Sequence, residues 1–349
     1  MKSSAKLLLF VFIFLFSFPV RPAAQSFETA VDYMAYIDKA NSELTQKYLS
    51  YLSAVSHGKS ARKVEKRRQE VINAISDTRF NIMGMPPFKG DRSLKDTTVN
   101  YLKILNYIFN DQYGKIVNME EIAEQSYDNM EAYMLAQEIA QEKLQQASKK
   151  QHEMQVKFAE KNNVRLIDTE DALGAKMKIA NELMKHTDEV YLIFFKCNKQ
   201  EAYMIDAMNR KNLVSLEQSS SSLQKFAEEG LEKLKNLKGF DNDPSLIVAC
   251  RDLMNFYKTE AGKGSSLSDF FLKEENFAKL KKQFEAMASS KRTQQDIDQF
   301  NKAVGEANEA IQVFNKINNE LNKSRSSVVN NWEKAYKKYM DDYMPVQKR

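Results

Sequence analysis

Apolar residues recur along this chain every three to four positions, which is the spacing of one face of an α-helix. Strand-like alternation is scarce, and Asn-Gly and Asp-Gly hairpin turns are absent. The residues between the apolar positions are mostly Ala, Glu, Gln, Lys, Leu and Met, which favour helices. The pattern therefore predicts an all-α protein, an elongated bundle of long helices.

The periodicity also predicts where each helix lies. The predicted helices cover about 31–57, 64–82, 93–109, 118–161, 169–208, 213–238, 245–259, 270–288 and 293–343. The apolar run "VYLIFF" at 190–195 is read as a buried helix turn, because the residues on both sides of it have a helical pattern.

Polar residues at the predicted helix starts indicate specific caps. Ser93 is predicted to be an N-cap, and Thr293 with Asp296 resembles a capping box. The segment "GKGSSLSD" at 262–269 is predicted to be a loop.

Proline and glycine interrupt the helical pattern twice in nearly the same way. A shift of 152 residues superposes the segment at 88–94 ("FKGDRSL") on the segment at 240–246 ("FDNDPSL"). Any two amphipathic helices can be slid into phase by chance, but shared non-helical punctuation favours an internal duplication. We therefore expect two related helical units, at 27–166 and 167–344, followed by a short tail at 345–349.

The first 26 residues have the pattern of a signal peptide. Lys2 and Lys6 precede a run of apolar residues at 7–20, and small residues follow. Such a run is short for a membrane span, although an uncleaved anchor is an alternative reading. The pattern predicts export, to the periplasm or to the cell surface and exterior.

Removing this segment changes the charge argument. Its three cations and no acid account for most of the net charge, which falls from +5 to +2. The remaining chain has charges of both signs interleaved along its helices, so we expect no nucleic-acid partner.

The sequence contains no recognisable catalytic motif. A phosphate-binding glycine loop, a G-x-S-x-G motif and an H-E-x-x-H motif are all absent, and the three histidines are far apart in sequence. Cys197 and Cys250 are read as buried thiols, with a single bridge as the alternative. Asp91 and Asp243 are read as turn or capping residues. The sequence predicts no enzyme, cofactor or metal, and leaves only an unrecognised carboxylate-based activity open.

One cationic stretch is the candidate for partner binding. Its six cations are Lys59, Arg62, Lys63, Lys66, Arg67 and Arg68. They could attract phosphate-bearing lipid or polysaccharide, or they could be a solvated helix face. Arg68 lies on the apolar stripe of its helix, so we expect it to point towards the core or an interface.

Several longer segments resemble a known family. They are "HGKSARKVEKRR", "NMEEIAEQSYD", "MLAQE", "VYLIFFK", "KQEAYM", "FFLKEENF" and "KRTQQDIDQFNKAV". They are similar to a group of exported bacterial proteins described only as a "family surface protein". The resemblance spans about Asp32 to Tyr339 and implies export and an envelope or surface setting. It implies no activity, cofactor or site residue.

We therefore expect a non-enzymatic exported binding or scaffolding protein of the bacterial envelope. Its expected partner is an envelope protein or an anionic polysaccharide, and peripheral membrane contact and the oligomeric state stay open. The alternative is a membrane-active protein that inserts apolar segments such as "VNYLKILNYIF" at 99–109 or "VYLIFF".

Overall fold

The computed structural model describes residues 27–57, 61–113, 123–166 and 172–345. Within these ranges the chain forms nine α-helices and no strand, which confirms the all-α class. The helices are α1 Ala30–Ser56, α2 Ala61–Gly84, α3 Ser93–Tyr107, α4 Tyr127–Lys161, α5 Ala172–Asn209, α6 Leu213–Asn236, α7 Ser245–Ala261, α8 Gly264–Ala286 and α9 Gln294–Tyr343. The predicted signal peptide, Lys59 and the start of the predicted unit 167–344 lie outside the described residues.

The first four helices pack as consecutive neighbours around one core. α1 packs on α2, α2 on α3 and α3 on α4. Ile37, Ile75, Leu102 and Phe158, one from each helix, have almost no exposed surface. The segment "VNYLKILNYIF" belongs to this core, and its last residues form a π-helical turn, Ile108–Gln112, directly after α3.

A second group packs around α5 in the same manner. α5 contacts α6, α7 and the carboxyl-terminal part of α9, and it also packs on α1 and α4. Val190, Leu223, Leu253 and Trp332 are buried where these helices meet. The "VYLIFF" run lies within α5, as predicted, and contributes to this core.

The second group also carries a helical hairpin that has no counterpart in the described part of the first. α8 follows α7 after only two residues and pairs with the amino-terminal half of α9. Phe270 and Phe314 stack at the inner end of this pair, with ring centroids 4.3 Å apart. At about 1.5 Å per residue, the 50-residue α9 is about 75 Å long, in keeping with the expected elongated shape.

Three predicted helix starts differ from the structure. Ser93 is the first helical residue and not the N-cap. Its backbone N–H donates a hydrogen bond to the Asp91 side chain. α4 begins at Tyr127, because the Ser126 side chain accepts a hydrogen bond from the Asn129 N–H and caps the helix there. The prediction of a loop at "GKGSSLSD" is wrong, because α8 begins at Gly264. The capping box of Thr293 and Asp296 is confirmed.

The two proline-containing loops are built alike. Asp91 and Asp243 each accept a hydrogen bond from the backbone N–H two residues later, at 2.8 Å, which confirms their reading as capping residues. Each loop also contains two successive residues with positive φ, at 89–90 and 241–242. The bounds of α6 and the start of α7 follow those of α2 and α3 by 152 residues. The internal duplication itself stays a prediction.

Candidate binding surfaces

The predicted cationic stretch is only partly available at the surface. Arg62, Lys63 and Lys66 are exposed at the start of α2. Arg67 forms an ion pair with Glu70, with 2.6 Å between the charged atoms. With Lys59 outside the described residues, the structure brings three of the six predicted cations together as an exposed set.

Arg68 points inward, in agreement with its place on the apolar stripe. Its Nε and Nη2 donate to the two carboxylate oxygens of Glu65 at 2.8 and 2.7 Å, and its Nη1 donates to the Phe109 carbonyl at 2.7 Å. The hydrogen bonds to Glu65 raise the pKa of Arg68 above its usual value. This arginine therefore joins α2 to the π-helical turn within the molecule.

An ionic cluster that the sequence did not reveal lies in the second group of helices. Arg325 of α9 donates through Nε to Glu201 of α5 at 2.5 Å and through Nη2 to Glu260 of α7. Glu201 and Glu260 are buried, and Arg325 is mostly covered. One cation thus holds two buried carboxylates from different helices, and the three residues tie α5, α7 and α9 together.

The cluster has one carboxylate more than its cation can neutralise. Oε2 of Glu260 is buried without a hydrogen-bond partner, and so is the Tyr257 hydroxyl. Burial, and then the nearby charge of Glu201, raise the pKa of Glu260 to about 8, although Arg325 opposes the shift. Glu260 therefore keeps its proton at neutral pH, which removes the excess buried charge.

A groove of about 460 Å³ runs between α7 and α9 beside this cluster. Its walls include Phe256, whose ring centroid lies 5.8 Å from the Arg325 guanidinium, and Leu321, which is four positions before Arg325. The remaining lining residues are Asp252, Asn255, Thr259, Lys263, Ile317, Glu320, Ser324 and Val328. The lining of the groove therefore has apolar patches, and its charged residues are two acids and one lysine.

The metal-ligand and cysteine predictions can be compared with the described residues. No group of three metal-ligating side chains occurs among them. Cys197 and Cys250 are buried free thiols, so the bridge is not formed. Burial raises the pKa of Cys197 to about 12 and that of Cys250 further, which keeps both thiols protonated and unreactive.

The apolar segments of the membrane-active alternative are packed inside the molecule. Leu102 and Leu105 of the first segment and Phe195 of the second are buried in the helix groups described above. No helix in the described ranges combines the length and the apolar content that a membrane crossing needs.

Comparison with known proteins gives no relative from which a role could be transferred. No protein-family model, curated protein or solved structure matches the chain. The groove and the ionic cluster were missed by sequence reasoning because their residues are up to 124 positions apart. The lone arginine on the apolar stripe of α9 was the only signal in the sequence that could have pointed to them.

Proposed function

We propose that this chain is a non-enzymatic, exported binding or scaffolding protein of the bacterial envelope, and that it holds a partner protein in the groove between α7 and α9. The observation that carries the proposal is the groove itself. It combines apolar walls with polar and charged side chains at its edges, as ligand and peptide sites do.

The lining of the groove favours a protein partner over an anionic polymer. Asp252 and Glu320 outnumber Lys263, so the groove repels a polyanion and attracts basic groups. The three exposed cations of α2 are the better site for a polysaccharide, and they are the second contact surface of this proposal. The ionic cluster beside the groove fixes its width, because Arg325 joins both walls to α5.

Capture from envelope extracts tests this assignment. The wild type is compared with a groove variant, Asp252→Lys with Glu320→Lys, and with a patch variant in which Arg62, Lys63 and Lys66 are changed to Ser. All five positions are exposed, so both variants should fold. We expect the groove variant to lose its bound protein at least about tenfold while the patch variant keeps it. Equal recovery of the bound protein by all three proteins would exclude the groove, and its loss from the patch variant alone would place the contact on the cations of α2 instead.

We also propose that the two helix groups are one helical plan used twice. The proposal is supported by the helix spacing. α2 and α3 are spaced along the chain as α6 and α7 are, and the loop between the helices has the same length in both pairs. The last helices support it as well, because Lys161 of α4 binds Oδ2 of Asp91 and Tyr343 of α9 binds Oδ2 of Asp243. On this reading α8 and the first part of α9 are an insertion in the second unit.

A further inference from the structure

The hairpin of α8 and α9 is a second surface of the molecule, separate from the groove. We refer to residues 269–315 as the arm. Its outer half is 279–305, which contains the hairpin turn, and its inner half is 269–278 together with 306–315. From Leu272 to Glu306 no side chain of the arm is buried.

The apolar residues of the outer half are incompletely covered along its whole length. Its large apolar residues follow helical spacing, but each is only half-buried. They are Leu280, Phe284, Met287, Ile297, Phe300 and Val304. Two helices packed side by side cover a single seam, and here none of the apolar residues of that seam is fully buried.

The arm is nevertheless well ordered by its own contacts. Phe284 and Phe300 stack with ring centroids 4.4 Å apart, and the guanidinium of Arg292 lies 4.4 Å from the Phe284 centroid. Arg292 also donates to the Met287 carbonyl, and the capping box at Thr293 starts α9. A rigid surface of this kind loses little conformational entropy when it is covered.

Charge is distributed unevenly along the arm. The outer half has six basic and three acidic residues, a net charge of +3, whereas the inner half has one basic and five acidic residues, a net charge of −4. Lys282 and Lys291 of the outer half are exposed and have no ion pair among the described residues. On the inner half, Glu306 and Glu309 are exposed; Glu306 also lies 3.8 Å from Lys302 of the same helix.

The inner half also carries exposed apolar side chains. Leu272, Ile311 and Val313 are each between 44% and 47% exposed, and all three belong to this half. The inner half of one arm therefore complements the outer half of another arm in charge. It also offers apolar side chains against which the outer half can pack.

We propose that two copies of this chain pair through their arms, antiparallel, so that the outer half of each arm lies on the inner half of the other. Such an arrangement has two-fold symmetry and uses the same surface on both copies. It places a net +3 against a net −4 twice, and it converts two open helix pairs into one four-helix bundle with a covered seam. A parallel pairing would place like charges together, so the charge pattern selects the antiparallel one.

Sedimentation velocity on the purified protein tests the pairing by charge reversal. One variant reverses the outer half, Lys282→Glu with Lys291→Glu, and another reverses the inner half, Glu306→Lys with Glu309→Lys. The matched control is Lys149→Glu with Lys150→Glu on the exposed side of α4. We expect the wild type and the control to be dimers, and each arm variant to dissociate at least about tenfold more readily. An equimolar mixture of the two arm variants should form dimers again.

The orientation is read from a zero-length cross-link between Lys291, at the outer end of one arm, and Asp269, at the inner end of the other. Within one chain the part of α8 from Asp269 to Ala286 alone separates them by about 25 Å, too far for such a link. A Lys291–Asp269 link in the dimer is therefore expected between copies. A wild type that stays monomeric at about 100 µM overturns the proposal. So do arm variants that dimerise like the control, and so do cross-links that join Lys291 only to acids of the outer half.

Discussion

Arg325 ties three helices of the second group together. It is the cation that holds Glu201 and Glu260, and its removal takes the guanidinium donor from both of these buried side chains. We expect Arg325→Met to lower the free energy of unfolding by about 3 kcal/mol. Chemical denaturation measures this loss. Lys323→Met, an exposed change on the same helix, is the control and should alter stability by less than about 0.5 kcal/mol. Similar values for the two variants would show that the cluster is not structural.

Glu260 makes stability depend on pH. Its pKa is about 8 in the folded protein and lies near the usual value of 4.5 in the unfolded chain. Between these values the unfolded chain releases a proton that the folded protein retains, so the free energy of unfolding falls as the pH rises from about 4.5 to about 8. The groups that face Glu260 are Glu201, Arg325 and the Tyr257 hydroxyl.

Denaturation of the wild type and of Glu260→Gln across this pH range tests the assignment. The neutral amide keeps the shape of the protonated acid but cannot titrate. We expect the wild type to lose about 3 kcal/mol more than the variant between about pH 5 and pH 8. Parallel pH profiles for the two proteins would mean that Glu260 does not hold the proton.

Among the helices, α3 and α7 begin with the same device. The Asp91 and Asp243 side chains each accept the N–H of the residue that starts the helix. We expect Asp91→Ala and Asp243→Ala each to reduce stability by about 1 kcal/mol, the usual cost of losing such a cap. Thermal melts, with Asp77→Ala at an exposed position inside α2 as the control, provide the comparison. A loss no larger than that of the control at either position would exclude a capping role there.

The helices could be predicted from sequence because their signals are local. The capping box of Thr293 and the helical reading of "VYLIFF" depend only on neighbouring residues, and both are confirmed. The predicted "GKGSSLSD" loop failed because tertiary packing overrides local preference at Gly264. A β-carbon there would lie 2.4 Å from the Ser220 hydroxyl of α6, so glycine lets α8 start close against α6. No pattern within α8 reports that contact.

The candidate site was much less predictable than the helices. Arg68 could be recognised because a cation on an apolar stripe is visible in its own helix. Glu201 and Glu260 look like any other acids on long charged helices, and only the packing of α5, α7 and α9 brings them to one arginine. The groove likewise exists only after α9 has folded back along α7.

At the scale of the whole molecule, the two proposed surfaces lie on the same helix. The groove is proposed to bind a partner protein, and the arm is proposed to bind a second copy of the chain. The carboxyl-terminal half of α9 forms one wall of the groove, and its amino-terminal half forms one side of the arm. A dimer joined through the arms would present two grooves. Such an arrangement suits a scaffold, because two weak contacts held together bind more tightly than one.

Site-specific photo-cross-linking in living cells tests the central proposal, that the groove holds a partner protein. A photoreactive amino acid is placed at Ser324, an exposed residue of the groove, and in a control protein at Gln145, an exposed residue of α4. We predict a covalent adduct with an envelope protein from position 324 that is absent from position 145 and is lost when Asp252 and Glu320 are changed to Lys. No adduct at position 324, or the same adducts from both positions, would contradict the proposal.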